Sequence, residues 1–450
     1  MYPGATPRPR APGPDGPRPL YTPAVLGQDA VHAYFFRSWH GPPDTRAGPG
    51  GPPGPLRVRS LALFLGPLLA AIGAVAALLT QQGGDVAVVV AVALLCIVWW
   101  IFEPVPIPVT SLLPLAALPV AGILTPAEVG QAYGSPLILL LLGGFLLSQA
   151  MERSGAHRRI ALGMIRLFGA DSPRRLVLGF MVAAAVLSMW ISNTATTLML
   201  LPVALAVLEG ADRREMLAVP LLLGLAYASS VGGVGTPIGT PPNLIFMQVF
   251  EDYTGEAVSF VRWMSWGVPV VALVVPVMAF LLTRRLQTIG ALALPEVGAW
   301  TAAERRVLIV FTLTAIAWIT RSDPFGGWST WLALPGANDA SVALFAVVVM
   351  FLVPDGRGDR LLDWEHANRI PWGTLLLFAG GICLAKGFAA SGLSSLLGEL
   401  LAGLTAIPGV LLVLAVCLAV TFMTEATSNT ASTTLLMPIL AAAAIAAELP

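Results

Sequence analysis

Ser188 to Pro202 reads "SMWISNTATTLMLLP", and Thr424 to Pro438 reads "TEATSNTASTTLLMP". Each stretch is apolar enough to lie in a membrane, yet each carries a Ser-Asn-Thr triplet at its centre. The rest of the chain is just as apolar. Hydrophobic residues make up 56% and charged residues 11%, against about 25% charged in an ordinary soluble domain. Mean hydropathy is +0.80, and several runs reach the roughly 20 residues that span a bilayer core. The sequence therefore describes an all-α polytopic protein of the lipid bilayer. Its net charge of zero gives no reason to expect a nucleic-acid partner. Cys96, Cys383 and Cys417 fall inside apolar runs and read as small buried hydrophobes. The histidines (His32, His40, His157, His366) fall in polar segments, whereas a membrane metalloenzyme would want them clustered in the spans.

Residues 1–55 are rich in Pro, Gly and Arg, lack a signal-peptide core, and read as a disordered cytoplasmic tail. Beyond them, apolar segments lie near 60–80, 86–102, 107–124, 136–150, 176–208, 216–250, 264–283, 306–320, 341–353, 372–390 and 406–447. Basic loops stay cytoplasmic, so the arginine clusters orient these segments in the cell's inner (plasma) membrane with the N-terminus cytoplasmic. Segment 176–208 is the informative one. It is flanked by Arg174/Arg175 and by Arg213/Arg214, and a single span would strand one pair outside. A re-entrant hairpin, entering and leaving on one side with the triplet at its tip, keeps both inside. By the same count segment 406–447 is a hairpin entering from the outside, and the acidic loop with Glu251, Asp252 and Glu256 is external.

An internal repeat supports two opposed halves. "LILLLLGGFLLSQAMERSG" (137–155) resembles "GTLLLFAGGICLAKGFAASG" (373–392). From Gly143 to Ser192 is 49 residues, and from Gly380 to Ser428 is 48. Halves of opposite orientation with matching polar breaks mark an inverted-repeat secondary transporter.

The triplets have a chemistry to match. Where the second helix of a hairpin begins, free backbone N–H groups and the positive dipole end favour an anion. Where the first helix ends, free carbonyls favour a cation such as sodium. Asn both donates and accepts, and Ser and Thr add hydroxyl oxygens. Ser188 and Thr424 each lie one turn before their triplets and add an oxygen on the same face. A third motif, "GGVGTPIGTPPNLIF" (Gly232–Phe246), breaks any helix in segment 216–250. Irregular backbone at that depth is tolerated only when it is buried in protein or lines a cavity.

Paired triplets with a Gly-Thr-Pro-Pro-Asn break resemble the divalent anion:sodium symporter family, carriers of dicarboxylates, citrate and sulfate. "WWIFEPVPIPVTSLLPL" (99–115) and "GGFLLSQAMERSGAHRRIAL" (143–162) are similar to it as well. The resemblance implies a homodimer with a scaffold and an elevator-type transport domain. Scaffold helices would be 56–134 and, with a linker, 251–371; transport-domain parts would be 135–250 and 372–450. It also implies substrate contacts from Asn193, Thr194, Thr240, Pro241, Asn429 and Thr430. A first sodium site would use Ser188, Ser192, Asn193 and backbone near Gly239, and a second Thr424, the carbonyl of Thr427, and Asn429. The family carries a second Thr-Pro break and further helices after the outer hairpin. This sequence ends at Pro450, so half of the second sodium site and one wall of the substrate site are expected beyond it.

Hydroxyls and amides suit succinate, malate, fumarate, citrate and sulfate alike, and symporters and sodium-independent exchangers carry related motifs. A sodium/proton or arsenite-type carrier would usually place an Asp or Lys at a break, where this chain has only Glu425. An enzyme would need a nucleophile–base pair or metal cluster in the bilayer, and none is visible; a truncated, non-transporting fragment is the remaining alternative. Lys386, the only lysine, reads as snorkelling from the end of its span. Glu103 reads as a span end, and Trp99, Trp100, Trp263, Trp266, Trp328 and Trp331 as interfacial anchors.

Overall fold

Proline and glycine mark many helix boundaries in this chain, although Pro67, Pro202, Pro220, Pro269, Pro276 and Pro438 lie inside helices. A computed structural model describes residues 55–169, 172–211, 214–286, 298–322, 326–401, 409–425 and 427–446. The tail at 1–54 and the first residues of the 406–447 segment lie outside these. In the first half the helices are α1 (Pro55–Leu79), α2 (Gly84–Phe102), α3 (Ile107–Thr110), α4 (Leu112–Val120), α5 (Pro126–Tyr133) and α6 (Pro136–Ser154). Then come α7 (Ala156–Phe168), α8 (Pro173–Ser188), α9 (Asn193–Glu209), α10 (Arg214–Gly232) and α11 (Pro241–Thr254). The second half has α12 (Phe260–Thr283), α13 (Ala302–Ile319), α14 (Gly327–Trp331), α15 (Asp339–Leu352), α16 (Trp364–Ala367) and α17 (Trp372–Ser391). It closes with α18 (Leu393–Leu401), α19 (Gly409–Thr424) and α20 (Asn429–Ala446).

Among the described residues, six helices are long and apolar enough to cross a membrane: 59–79, 84–102, 126–154, 214–235, 260–283 and 372–391. Prolines at the first helical turn, as at Pro126, Pro136 and Pro173, start helices without wasting a donor. The triplet segments are different. Ser188 to Asn193 is a break between α8 (16 residues) and α9 (17 residues), each about 25 Å long at 1.5 Å per residue and so shorter than a roughly 30 Å core. α19 (16 residues) and α20 (18 residues) repeat the pattern. Segment 107–124 is likewise two helices, parted at Ser111.

The halves clasp each other reciprocally. α6 of the first half packs on α15 of the second, and α17 of the second packs on α4 and α5 of the first. Paired glycines set both crossings. A methyl at Gly143 would sit 2.5 Å from the Ala343 side chain, and one at Gly380 would collide with the Ser111 carbonyl. Both helices also end alike, in a left-handed glycine, Gly155 (φ 76°) and Gly392 (φ 83°), the usual helix C-cap.

Ion pairs tie α6 and α7 to the second half. Arg153 meets Asp359 and, at 2.9 Å, Asp363. Arg159 meets Glu304 at 3.0 Å, donates to the Gly298 and Ala299 carbonyls, and lies over the Trp300 ring. Glu304 also closes the capping box of α13 with Thr301. Burial would raise the Glu304 carboxyl, but hydrogen bonds from Arg159 and Thr301 outweigh it and hold the group below its ordinary value.

Several single-residue expectations change. Trp100 is no interfacial anchor: it is 1% exposed and donates its indole N–H to Ser111 Oγ. Trp263 and Trp328 also spend their N–H groups inward, on the carbonyls of Val234 and Ala317. Cys96 and Cys383 are buried, whereas Cys417 is exposed on α19. Glu103 does end α2, as its C-cap.

Candidate substrate and cation site

The first triplet begins a helix. Ser192 is the N-cap of α9, its hydroxyl accepting from the Ala195 N–H at 3.3 Å. Asn193 and Thr194 follow as the first two helical residues, whose N–H groups have no intrahelical acceptor. Thr194 is exposed. This end of α9 thus presents amide donors, a hydroxyl and the dipole's positive end together, which suits a carboxylate.

The other face of the triplet meets oxygen atoms. Ser188 is fully buried and donates to Asn193 Oδ1 at 2.6 Å. The Asn193 side chain lies directly on Gly233, where an added Cβ would have to push Asn193 Oδ1 aside. At Gly239 a Cβ would come within 2.5 Å of the Gly233 carbonyl and 3.0 Å of the Ser188 carbonyl. Ser188, Asn193, Gly233 and Gly239 therefore form one close-set group whose oxygens suit a hard cation. The helix break between α10 and α11 supplies half of it, through a 3₁₀ turn at Gly233–Gly235.

Three residues that hold this break were not assigned that role from the sequence. Asn243 is buried and its amide donates to the Gly233 and Thr236 carbonyls, both at 2.8 Å. The Thr236 hydroxyl donates to the Met189 carbonyl, fastening the break onto the end of α8. Trp263 of α12 donates to the Val234 carbonyl at 2.8 Å. Asn243 and Thr236 stand inside the quoted stretch Gly232–Phe246, so a signal existed. Trp263 gave none. Thr240 caps α11 in an extended conformation, and Pro241 and Pro242 follow. Neither proline has an N–H, so this helix end brings its dipole and the Thr240 hydroxyl but few amide donors.

The second triplet is built alike but held differently. Asn429 begins α20, and Ser428 Oγ accepts weakly from the Ala431 N–H at 3.4 Å. The Thr424 hydroxyl donates to the Thr421 carbonyl, so it has no bond to Asn429 of the kind Ser188 makes to Asn193. Thr427 donates to the Met423 carbonyl and pairs with Ser432. Asn429 is exposed, Thr430 is half-buried, and the Asn429 side chain has no hydrogen-bond partner among the described residues. α11 links the two halves of the site: its start carries Thr240 and Pro241, and its length packs on α20, with Tyr253 Oη donating to the Pro438 carbonyl.

A cavity of about 490 Å³ opens at the far end of α11, lined among others by Gln248, Asp252, Arg321, Asp339 and Lys386. Lys386 thus faces a polar cavity rather than snorkelling along lipid.

Residues 97–450 match the family described as citrate transporter. The chain belongs to the citrate transporter family. Two of the similar proteins are named sodium-dependent dicarboxylate transporter SdcS. The protein of Staphylococcus saprophyticus subsp. saprophyticus is 38% identical over 413 residues, covering 85% of this chain and 78% of its own. That of Staphylococcus aureus is 38% identical over 383 residues, covering 80% and 73%. The crystal structure of the Alcanivorax borkumensis YdaH transporter shares the fold at a TM-score of 0.51, with 16% identity, covering 87% of this chain and 83% of that one. The family is one of multi-pass transporters, not enzymes.

Proposed function

We propose that this chain carries a small dicarboxylate across the membrane together with sodium. The observation that carries the reading is the back-to-back arrangement at Asn193: amide donors of α9 on one side, the oxygens around Ser188, Gly233 and Gly239 on the other. One residue can then serve anion and cation at once, and bound sodium offsets the charge of the substrate. The names of the staphylococcal relatives support the same pairing.

In this reading Asn193, Thr194, Thr240, Pro241, Asn429 and Thr430 hold the anion. Ser188, Ser192, Asn193 and Gly239 hold one sodium ion; Thr424, the Thr427 carbonyl and Asn429 hold another. The helix pairs α8–α9 and α19–α20 are re-entrant hairpins from opposite sides, and they move with their neighbours as an elevator against a scaffold. The bond from Trp263 to Val234 supports counting α12 with the moving part, although its sequence lies in the 251–371 scaffold stretch. The protein works as a homodimer in the cell membrane, N-terminus inside.

Uptake of labelled succinate into proteoliposomes tests the proposal. Uptake should require a sodium gradient, and its initial rate should rise with sodium with a Hill coefficient above one. Uptake indifferent to sodium but accelerated by internal succinate would make the protein an exchanger and remove the cation assignments.

A further inference from the structure

Thr196 occupies the first turn of α9 and is fully enclosed, yet its Oγ1 has no hydrogen-bond partner among the described residues. Neighbouring threonines behave otherwise. Thr197 donates back to the Asn193 carbonyl, Thr433 to that of Asn429 and Thr434 to that of Thr430, each at 2.8 Å. Such bonds to the preceding turn are the ordinary outlet for a helical hydroxyl. Thr196 does not take it.

The repeat sharpens the contrast. Asn193 and Asn429 are 236 residues apart, and the same step from Thr196 reaches Ser432. Ser432 is also buried, but its hydroxyl lies 2.7 Å from the Thr427 hydroxyl. The first-half equivalent of Thr427 is Ile191, which offers no side-chain oxygen. One half has used its buried hydroxyl internally; the other has kept it free.

Helical side chains lean toward the N-terminus, and residues three apart share a face. The Thr196 side chain is therefore directed toward the turn of Asn193, whose Oδ1 accepts from Ser188 and whose side chain rests on Gly233. Buried hydroxyls in native proteins have partners, and this one is placed at an N-terminal helix turn beside a cluster of oxygens.

We propose that Thr196 Oγ1 is a ligand of the cation held at the first triplet, a role its repeat equivalent Ser432 does not share because that hydroxyl is already paired with Thr427. The proposal rests on the sodium-coupled reading above. Its consequence is an inequality: losing this hydroxyl weakens one sodium site and leaves the other as it was.

The test uses the purified full chain in detergent, melted in potassium chloride and then at increasing sodium chloride with ionic strength constant. A ligand that binds only the folded state raises the melting temperature along its own binding curve. Thr196→Val removes the hydroxyl and keeps the shape; Thr196→Ser keeps the hydroxyl. The half-saturating sodium concentration should rise about ten-fold or more in Thr196→Val, the scale of one hydrogen bond to a charged group. Thr196→Ser should stay near the wild-type midpoint. Should Thr196→Val not yield folded protein, Thr196→Cys, whose sulfur is a poor partner for a hard cation, reads the same difference. A wild-type midpoint in the variant lacking the hydroxyl overturns the proposal and assigns the hydroxyl to a structural water. No sodium response in the wild-type protein would instead overturn the sodium reading itself, so the two failures are distinct.

Discussion

Asn193 and Asn429 stand at matched places in different company. Asn193 is already bonded to Ser188 and seated on Gly233, whereas Asn429 is exposed. Asn193→Ala and Asn429→Ala should each nearly abolish succinate uptake in proteoliposomes. A hydrogen bond to a charged group contributes roughly 1.5–3 kcal/mol, or about 10- to 100-fold in affinity, and each Asn is proposed to serve two charged species. Asn193→Ala should also lower the melting temperature more than Asn429→Ala does, because only Asn193 is tied into its surroundings before substrate arrives. Normal uptake by both variants would reduce the triplets to packing. Asn243→Ala is a different kind of change. It leaves two buried carbonyls without their donor, at roughly 1–3 kcal/mol each, so it should lower the melting temperature even in potassium, where the triplets hold no sodium. The triplets were legible because polar residues stand out in an apolar run. The lock at Asn243 was harder to see, since one amide inside a Pro-Gly break looks like any loop residue until its two acceptors are known.

At the scale of helices, most boundaries were readable because Pro, Gly and arginine clusters mark them. The shortness of α8 and α9, flanked by arginines at both ends, is what makes the membrane topology testable. In a Cys417→Ser background, leaving the buried Cys96 and Cys383, cysteines at Leu167 and Gly210 should both be protected from an impermeant thiol reagent on whole cells, and one at Glu256 should label. Labelling at only one of the first two positions would mean that α8 and α9 together cross the membrane. What the sequence hid at this scale is long-range: that Arg159, one of a cluster used only for orientation, closes on Glu304. The Glu304 carboxyl is held below its ordinary value, so the stabilisation it gives is present above the ordinary carboxylate pKa of about 4.3 and is lost as pH falls through the lowered one. Glu304→Gln should therefore melt earlier than wild type at neutral pH, with the gap closing in strong acid. A gap that persisted unchanged there would show that the carboxylate charge is not what matters.

For the whole molecule, the repeat was visible in two stretches of similar sequence, but the way the halves engage was not. Sequence similarity says that α6 and α17 are alike; only the structure shows each lying against the other half, Gly143 on Ala343 and Gly380 on Ser111. The proposed homodimer belongs to this scale too. The detergent-purified protein should have the mass of two chains by light scattering, and a monomer active in uptake would remove the dimer from the mechanism.

The reciprocal clasp also bears on how the protein is made. A ribosome releases the first half long before α15 and α17 exist, so α6 enters the bilayer with its glycine face open and α4 and α5 lack their partner. The nascent chain must be sheltered, by the insertion machinery or by lipid, until the last third has been synthesised. Chains arrested before Asp339 should be cleared by membrane proteases far faster than chains arrested after Ser391, and supplying the second half as a separate polypeptide should rescue the first.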